Sequence, residues 1–275
     1  MKKIKKLFIL IFLLIFVGTL LVFIPKPKYA NKNPFLAKDG IPVLLHGENE
    51  TGNTRSHSNC DTLVWEENYI DLLNNCNFGY HYQEDDGRYL YKDMSQTEWH
   101  SVGVYLASLE EVFQEFGKQI LYNIEIKADS DAPRNETADA VVKLIEDYDL
   151  VDYVLLATAF DDIGEYIVEE YPNIYLSMSY GPAIDFVVNT YTLTTIFRGK
   201  PAYAAMQVPI SYDLPVIGDF AVNRWRIIHS LHQQNMAIHF WTINDEETMR
   251  ALINQGVDGI ITDYPELLIN ILEEE

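Results

Sequence analysis

The stretch LYNIEIKADS, residues 121–130, decides the fold, because it combines a buried strand with charges on one side of that strand. Apolar Ile124 and Ile126 alternate with Glu125 and Lys127, which is the period of a strand. Alternate side chains share a face, so Glu125 and Lys127 lie together. A carboxylate there can hold a hard divalent cation and a lysine can hold a phosphate, although an exposed ion pair on an edge strand has the same pattern.

Other apolar runs recur along the chain, and segments of helical period lie between several of them. The strand-like runs cover residues 41–45, 120–126, 153–157, 174–178, 202–208, 236–242 and 257–262. The helical patterns are SLEEVFQEFG (108–117), ETADAVVKLIEDY (136–148) and DEETMRALINQG (245–256). Ser108 and Glu111 form a capping box before the first, and Gly256 is a C-cap for the last.

This alternation indicates a parallel sheet covered by helices. At 275 residues we predict an α/β fold of the (β/α)8 TIM-barrel type, with an open doubly wound sheet as the second choice. About seven strands can be counted, one fewer than a complete barrel. Residues 47–100 are polar, aromatic and rich in turn residues, which is typical of an insertion or a long loop region.

Residues 7–24 contain no charge and reach the lower length range of a membrane-spanning helix. Four lysines precede this segment and two follow it, which favours a cytoplasmic N-terminus. We predict a basic tip and transmembrane anchor over residues 1–24, a linker over 25–37 and the barrel domain over 38–275. The protein would be single-pass in the cell membrane, with its C-terminal domain extracytoplasmic. A cleaved signal peptide is the competing interpretation.

The net charge of −21 argues against binding to nucleic acid, which needs basic surfaces; solubility is the simplest explanation of this acidity. Cys60 and Cys76 are the only cysteines. Outside the membrane they could form a disulfide, and two free thiols are equally compatible with the sequence. They lack the CxxC spacing that is typical of a zinc site.

Several segments of the chain together resemble one enzyme family. These segments are KDGIPVLLH (38–46), NFGYHYQEDDGRYLYKD (77–93), LASLEEVFQEF (106–116), IEIK (124–127) and AIHFWTINDEETMRALINQGVDGIITDYPELL (237–268). The chain resembles the glycerophosphodiester phosphodiesterase family over roughly residues 38–270. IEIK and the C-terminal block are specific in combination, whereas neither would be decisive alone.

The resemblance implies a barrel that hydrolyses glycerophosphodiesters to glycerol 3-phosphate and an alcohol. It also implies a divalent cation, magnesium or calcium, on three carboxylates, with two histidines as general acid and base. At the positions that match the family's motifs, His46 would be one catalytic histidine, Glu125 a metal ligand and Lys127 a phosphate ligand. Trp241 would lie beside the substrate. His239 shares its face of the strand, with no role implied by the family.

The chain departs from the family pattern at its N-terminal end. It has no His-Arg-Gly motif, no Glu-x-Asp strand before residue 38, and Gly47 in place of the aspartate of His-Asp. We therefore expect a barrel that is incomplete at its N-terminal strands and an incomplete cation site. A second alignment treats LLHG…GNT as a degraded His-Arg-Gly…Glu-Asn-Thr motif. Glu48 and Glu50 could replace lost ligands.

Two functions follow from these expectations. The first is a membrane-anchored hydrolase of small glycerophosphodiesters with impaired activity. The second is a degenerate relative that binds a phosphorylated or polyol ligand, or a truncated remnant. Asn244 and Asp245 fit a helix cap. Three further histidines, expected to be solvated, lie in polar loops: His57, His81 and His100.

Overall fold

The computed structural model describes residues 29–32, 34–45, 52–84, 86–127, 131–192, 202–214 and 218–274. The predicted anchor over residues 1–24 lies outside these ranges, as do His46, Glu48 and Glu50. Among the residues that are described, no helix is both long enough and apolar enough to cross a bilayer.

The described ranges contain eleven strands. They are β1 (Tyr29–Lys32), β2 (Pro34–Leu36), β3 (Pro42–Leu44), β4 (Leu121–Glu125), β5 (Val154–Ala157), β6 (Tyr175–Leu176), β7 (Ala205–Val208), β8 (Ser211–Leu214), β9 (Gly218–Ala221), β10 (Ala237–Phe240) and β11 (Gly259–Ile260). Seven of them pair in parallel, in the orders β1-β4-β5-β6 and β7-β10-β11. A parallel bridge between Ser177 and Ala205 joins the two groups into one wall.

Helices alternate with these parallel strands from β4 onwards. The described helices are α1 (Tyr69–Asn75), α2 (Gln96–Ser101), α3 (Leu109–Phe116), α4 (Arg134–Asp147), α5 (Asp161–Glu170), α6 (Tyr180–Thr192), α7 (Trp225–His232), α8 (Glu246–Asn254) and α9 (Pro265–Glu273). Helices α4, α5, α6, α7 and α8 each connect one parallel strand to the next. This order is that of a TIM-barrel-like α/β fold, as the sequence predicts.

The N-terminal part of the wall differs from the expectation. Residues 29–32 fall in the range predicted to be a linker, but they form β1, which pairs in parallel with β4. Residues 41–45 were expected to supply a barrel strand, but β3 instead pairs antiparallel with β2 around the turn at Asp39-Gly40. A short apolar run such as residues 41–45 fits one arm of a hairpin as well as a buried barrel strand, so the sequence alone does not distinguish the two structures. β1 therefore occupies the position beside β4, at the N-terminal end where the sequence predicts an incomplete barrel.

The predicted alternation on β4 is confirmed by burial. Tyr122, Ile124 and Ile126 are fully buried in an apolar cluster with residues of α3, α4 and α5. A second cluster joins β7 and β10 to α7, α8 and α9. Because the helices cover one face of the wall, the other side chains of β4 are directed to the interior of the barrel.

A unit over residues 52–106, between the hairpin and α3, shares an apolar cluster with Phe35 and Val43 of the hairpin. Its small apolar cluster includes Val64, Leu72 and Leu106. Cys60 and Cys76 form a disulfide within it, with a Cα–Cα distance of 5.4 Å, so the pairing that the sequence left open is settled in favour of the disulfide. This unit is the predicted insertion, although it contains the short helices α1 and α2.

Candidate active site

A cavity of about 410 Å³ opens at the carboxyl ends of the parallel strands. This end of a barrel is where active sites are built, because the strand-to-helix loops converge there. Its lining includes Asn123, Glu125, Lys127, Ala157, Thr158, Ser177, Tyr180, Gln207, Tyr212, Trp241, Thr242 and Ile261. The structure therefore brings together three of the four predicted site residues, and the fourth, His46, lies outside the described residues.

Glu125 and Lys127 form an ion pair in the wall of this cavity. Lys127 Nζ lies 3.7 Å from Glu125 Oε2, and the two side chains are only 14% and 28% exposed, respectively. The pair is therefore partly shielded from solvent, where charges interact more strongly than at a free surface. An exposed pair on an edge strand, the simpler interpretation of the sequence, does not describe it, because β4 lies between β1 and β5.

Neutral polar side chains form the deepest part of the barrel interior that the structure describes. Gln207 Nε2 donates a hydrogen bond to Asn123 Oδ1 at 2.8 Å, and it lies 3.0 Å from His239 Nδ1. Because an amide nitrogen can only donate, Nδ1 of His239 accepts and the ring proton is on Nε2. Asn123 and His239 are each 3% exposed, so this network is an internal support beneath Glu125.

Trp241 lies at the rim of the cavity, where 42% of its surface is exposed. It follows β10, on which His239 is buried, so the two residues that the sequence places on one face occupy different depths. Tyr180 is also exposed at the rim, and its ring contacts that of Tyr212 edge-on, with 6.4 Å between centroids. Aromatic groups thus surround the entrance to a polar interior.

The model of the glycerophosphoryl diester phosphodiesterase family matches residues 36–267 of the chain. The chain belongs to this family. A glycerophosphodiester phosphodiesterase of Bacillus altitudinis is 24% identical over 243 residues, which cover 87% of the chain and 84% of that relative. A phosphodiesterase of the same description from Bacillus subtilis strain 168 is also 24% identical, over 84% of the chain and 72% of its own length.

Solved structures of glycerophosphodiester phosphodiesterases show the same fold. The phosphodiesterase domain of a Mycobacterium tuberculosis protein superposes with a TM-score of 0.69 at 10% identity, covering 90% of the chain and 88% of the domain. A phosphodiesterase of Oleispira antarctica, solved with the product sn-glycerol-3-phosphate, gives a TM-score of 0.61 at 17% identity, with coverage of 90% and 85%. These similarities confirm the TIM-barrel-like fold.

The C-terminal phosphodiesterase motifs hold each other in place. Asn244 Nδ2 donates to Asp263 Oδ2 at 2.9 Å, and Asn244 Oδ1 accepts from the hydroxyl of Thr262. Asp245 is the N-cap of α8 and accepts from Thr248 N at 2.8 Å, as predicted. The Trp-Thr-x-Asn-Asp and Thr-Asp-x-Pro segments therefore join the ends of β10 and β11.

The described residues do not build the divalent cation site that the family implies. They contain no group of three or more histidine, cysteine or acidic side chains that could hold a metal ion. Among the described residues that line the cavity, Glu125 is the only carboxylate, and the ammonium group of Lys127 lies 3.7 Å from it. Magnesium and calcium prefer six or more oxygen ligands, several of them carboxylates. One carboxylate beside a lysine does not fit this requirement.

The histidines of the insertion take part in local structure. His81 Nε2 lies 3.1 Å from Ser58 O, and His100 Nε2 lies 2.9 Å from Leu73 O. Neither residue lines the cavity. Sequence reasoning did not identify Asn123, Ser177 or Gln207 as site residues. Gln207 had a signal, since it is the one polar residue in the strand Ala205–Val208.

Proposed function

We propose that the protein hydrolyses glycerophosphodiesters to glycerol 3-phosphate and an alcohol. The proposal depends on one observation, the partly buried Glu125–Lys127 pair in a cavity at the carboxyl end of the barrel of a family member. The substrate class is taken from the names of the relatives and from the relative that holds sn-glycerol-3-phosphate. The family match does not favour the alternative of a degenerate ligand-binding protein.

In this proposal Lys127 binds the phosphoryl group. Its side chain is 14% exposed and lines the cavity, so the positive charge lies in a confined space in which it can pair with a non-bridging oxygen. A substrate phosphate competes with Glu125 for the same ammonium. Glu125 then becomes available to accept a hydrogen bond from a substrate hydroxyl or from the attacking water. The two residues together fix the phosphorus atom at the wall formed by β4.

Three parts of the proposal involve groups that the structure does not describe: His46, the divalent cation and the N-terminal anchor. His46 would transfer a proton as general acid or base. The family's magnesium or calcium would need ligands besides Glu125, so no step is assigned to it. Residues 1–24 would anchor the protein in the cell membrane with the barrel extracytoplasmic, which is supported by the uncharged segment 7–24 and the lysines around it.

The direct test is hydrolysis of glycerophosphocholine by the purified protein supplied with magnesium or calcium, measured as release of glycerol 3-phosphate. Lys127→Met should reduce kcat/KM at least about 100-fold, which corresponds to the loss of about 2.7 kcal/mol of transition-state stabilisation. Glu125→Gln should cause a loss of similar size.

Two exposed ion pairs provide matched control variants. Lys143→Met removes the lysine of the pair with Asp147 on α4, and Glu246→Gln changes the partner of Arg250 on α8. Exposed ion pairs of this kind contribute little to the stability of a protein. Both controls should retain wild-type turnover. A wild-type protein without turnover, or turnover that survives both site substitutions, would contradict the proposed function.

A further inference from the structure

Ser177 has a buried hydroxyl without a partner at the wall of the cavity. The residue follows β6 directly and is 1% exposed. Within the described part of the chain its Oγ has no hydrogen-bond partner. Leaving a buried hydroxyl without a partner is unfavourable, so such a group is expected to bind a ligand.

Several neighbouring polar groups of the cavity are already engaged within the protein. Gln207 Nε2 is shared between Asn123 and His239. Thr158 Oγ1 accepts from Phe160 N at 3.2 Å. At the start of α6, the N–H of Gly181 donates to Asp161 Oδ1 at 2.9 Å, so this helix end is not available to a ligand. Ser177 Oγ has no such partner among the described residues. Ser179 Oγ also lacks one, but it faces the helix layer, since a Cβ built at Gly164 of α5 would lie 3.2 Å from it.

The surroundings of Ser177 leave space for a small neutral group. Ala205 is its bridge partner, and the pairing of β5 with β6 continues to place Ala157 on its other side. Both neighbours carry only a methyl group. Ser177 is also more deeply buried than the charged pair, because Lys127 and Glu125 retain 14% and 28% side-chain exposure. Lys127 therefore lies nearer the mouth of the cavity than Ser177 does.

We propose that Ser177 Oγ donates a hydrogen bond to a hydroxyl oxygen of the substrate's glycerol group, while Lys127 holds the phosphate. This inference rests on the proposed function. A neutral hydroxyl among neutral side chains matches an uncharged polyol end, whereas a phosphate at this depth would lie away from the ammonium. Ser177 would thus make ligand binding depend on the glycerol group.

The test compares the binding of two ligands by calorimetric titration of the whole protein. Ser177→Ala should weaken the binding of sn-glycerol 3-phosphate by about 2-fold to 10-fold, the usual effect of one hydrogen bond between neutral groups. Its affinity for inorganic phosphate should not change. The KM for glycerophosphocholine should rise by a similar factor. The unfolding temperature without ligand should be unchanged or slightly higher, because Ser177 Oγ has no hydrogen-bond partner among the described residues.

The control is Ser56→Ala, since Ser56 Oγ is likewise buried and unpartnered among the described residues but lies outside the cavity lining. Equal binding of sn-glycerol 3-phosphate by Ser177→Ala and by an active wild-type protein would overturn the inference and leave the proposed function standing. An equal loss for both ligands would also overturn it, because the contact would then be with phosphate. A wild-type protein that neither hydrolyses nor binds would remove the proposed function and this inference together.

Discussion

Replacing Gly259 with alanine should destabilise the barrel through its contact with His239. The two residues are register partners on β11 and β10. A Cβ added at Gly259 would lie 2.5 Å from Cδ2 and 2.8 Å from Cγ of the His239 ring. Carbon atoms pack best at about 3.5–4.0 Å, so the ring would have to retreat by about 1 Å.

Two costs follow from this retreat. Overpacking of a filled interior costs about 1–3 kcal/mol. The same movement pushes the ring toward Gln207, because β10 lies between β11 and β7, and it distorts the hydrogen bond between His239 Nδ1 and Gln207 Nε2, now 3.0 Å long, at a further cost of about 0.5–1.5 kcal/mol. We expect a total loss of about 1.5–4.5 kcal/mol, a substantial part of the stability of an ordinary domain.

The assay is urea denaturation of Gly259→Ala, His239→Ala and the double variant. The midpoint of Gly259→Ala should fall without a change in the slope m. The double variant should lose less than the sum of the single losses, by at least about 1 kcal/mol, because removing the ring removes the clash. A midpoint equal to that of the wild type, or strictly additive losses, would refute the assigned contact between Gly259 and His239.

Two further predictions concern the insertion and the helix after it. The Cys60→Ser/Cys76→Ser variant should be destabilised by about 3 kcal/mol, since the disulfide closes a loop with a sequence separation of 16; a urea midpoint equal to that of the oxidised wild type would contradict this. Glu111→Gln should cost about 1.5–3 kcal/mol at neutral pH, because Glu111 Oε2 accepts from Ser108 N and from the hydroxyl of Tyr69. Burial raises the pKa of Glu111, but these hydrogen bonds outweigh it and hold that pKa below its ordinary value of 4.5. The carboxylate therefore stabilises the fold above about pH 4.5, and the difference between variant and wild type should shrink as the pH falls below that value; a difference independent of pH would count against the role of its charge.

The sequence predicts most of the fold, because six of the seven apolar runs correspond to parallel strands or their continuations. It misses β1, since Tyr29–Lys32 contains one aromatic residue and follows a Pro- and Lys-rich segment that is typical of a linker. The strand is defined by its pairing with β4, which local composition does not encode.

The candidate site is predictable only in part. Glu125 and Lys127 follow from period-two alternation, and Trp241 from a motif. The roles of Ser177 and Gln207 depend on which side chains meet across the barrel. Gln207 bonds to Asn123, which is 84 positions away in the sequence, and no local pattern encodes such a contact.

The direction of β1 determines how the protein can be tethered. Tyr29, its first residue, is aligned with Leu121 at the amino end of β4, whereas the cavity opens at the carboxyl end. If the chain is anchored ahead of Tyr29, as proposed, the anchored end of β1 lies on the side of the barrel opposite the cavity entrance. A protein anchored in this way should bind diesters dissolved in the surrounding solution more readily than diesters embedded in the membrane that anchors it.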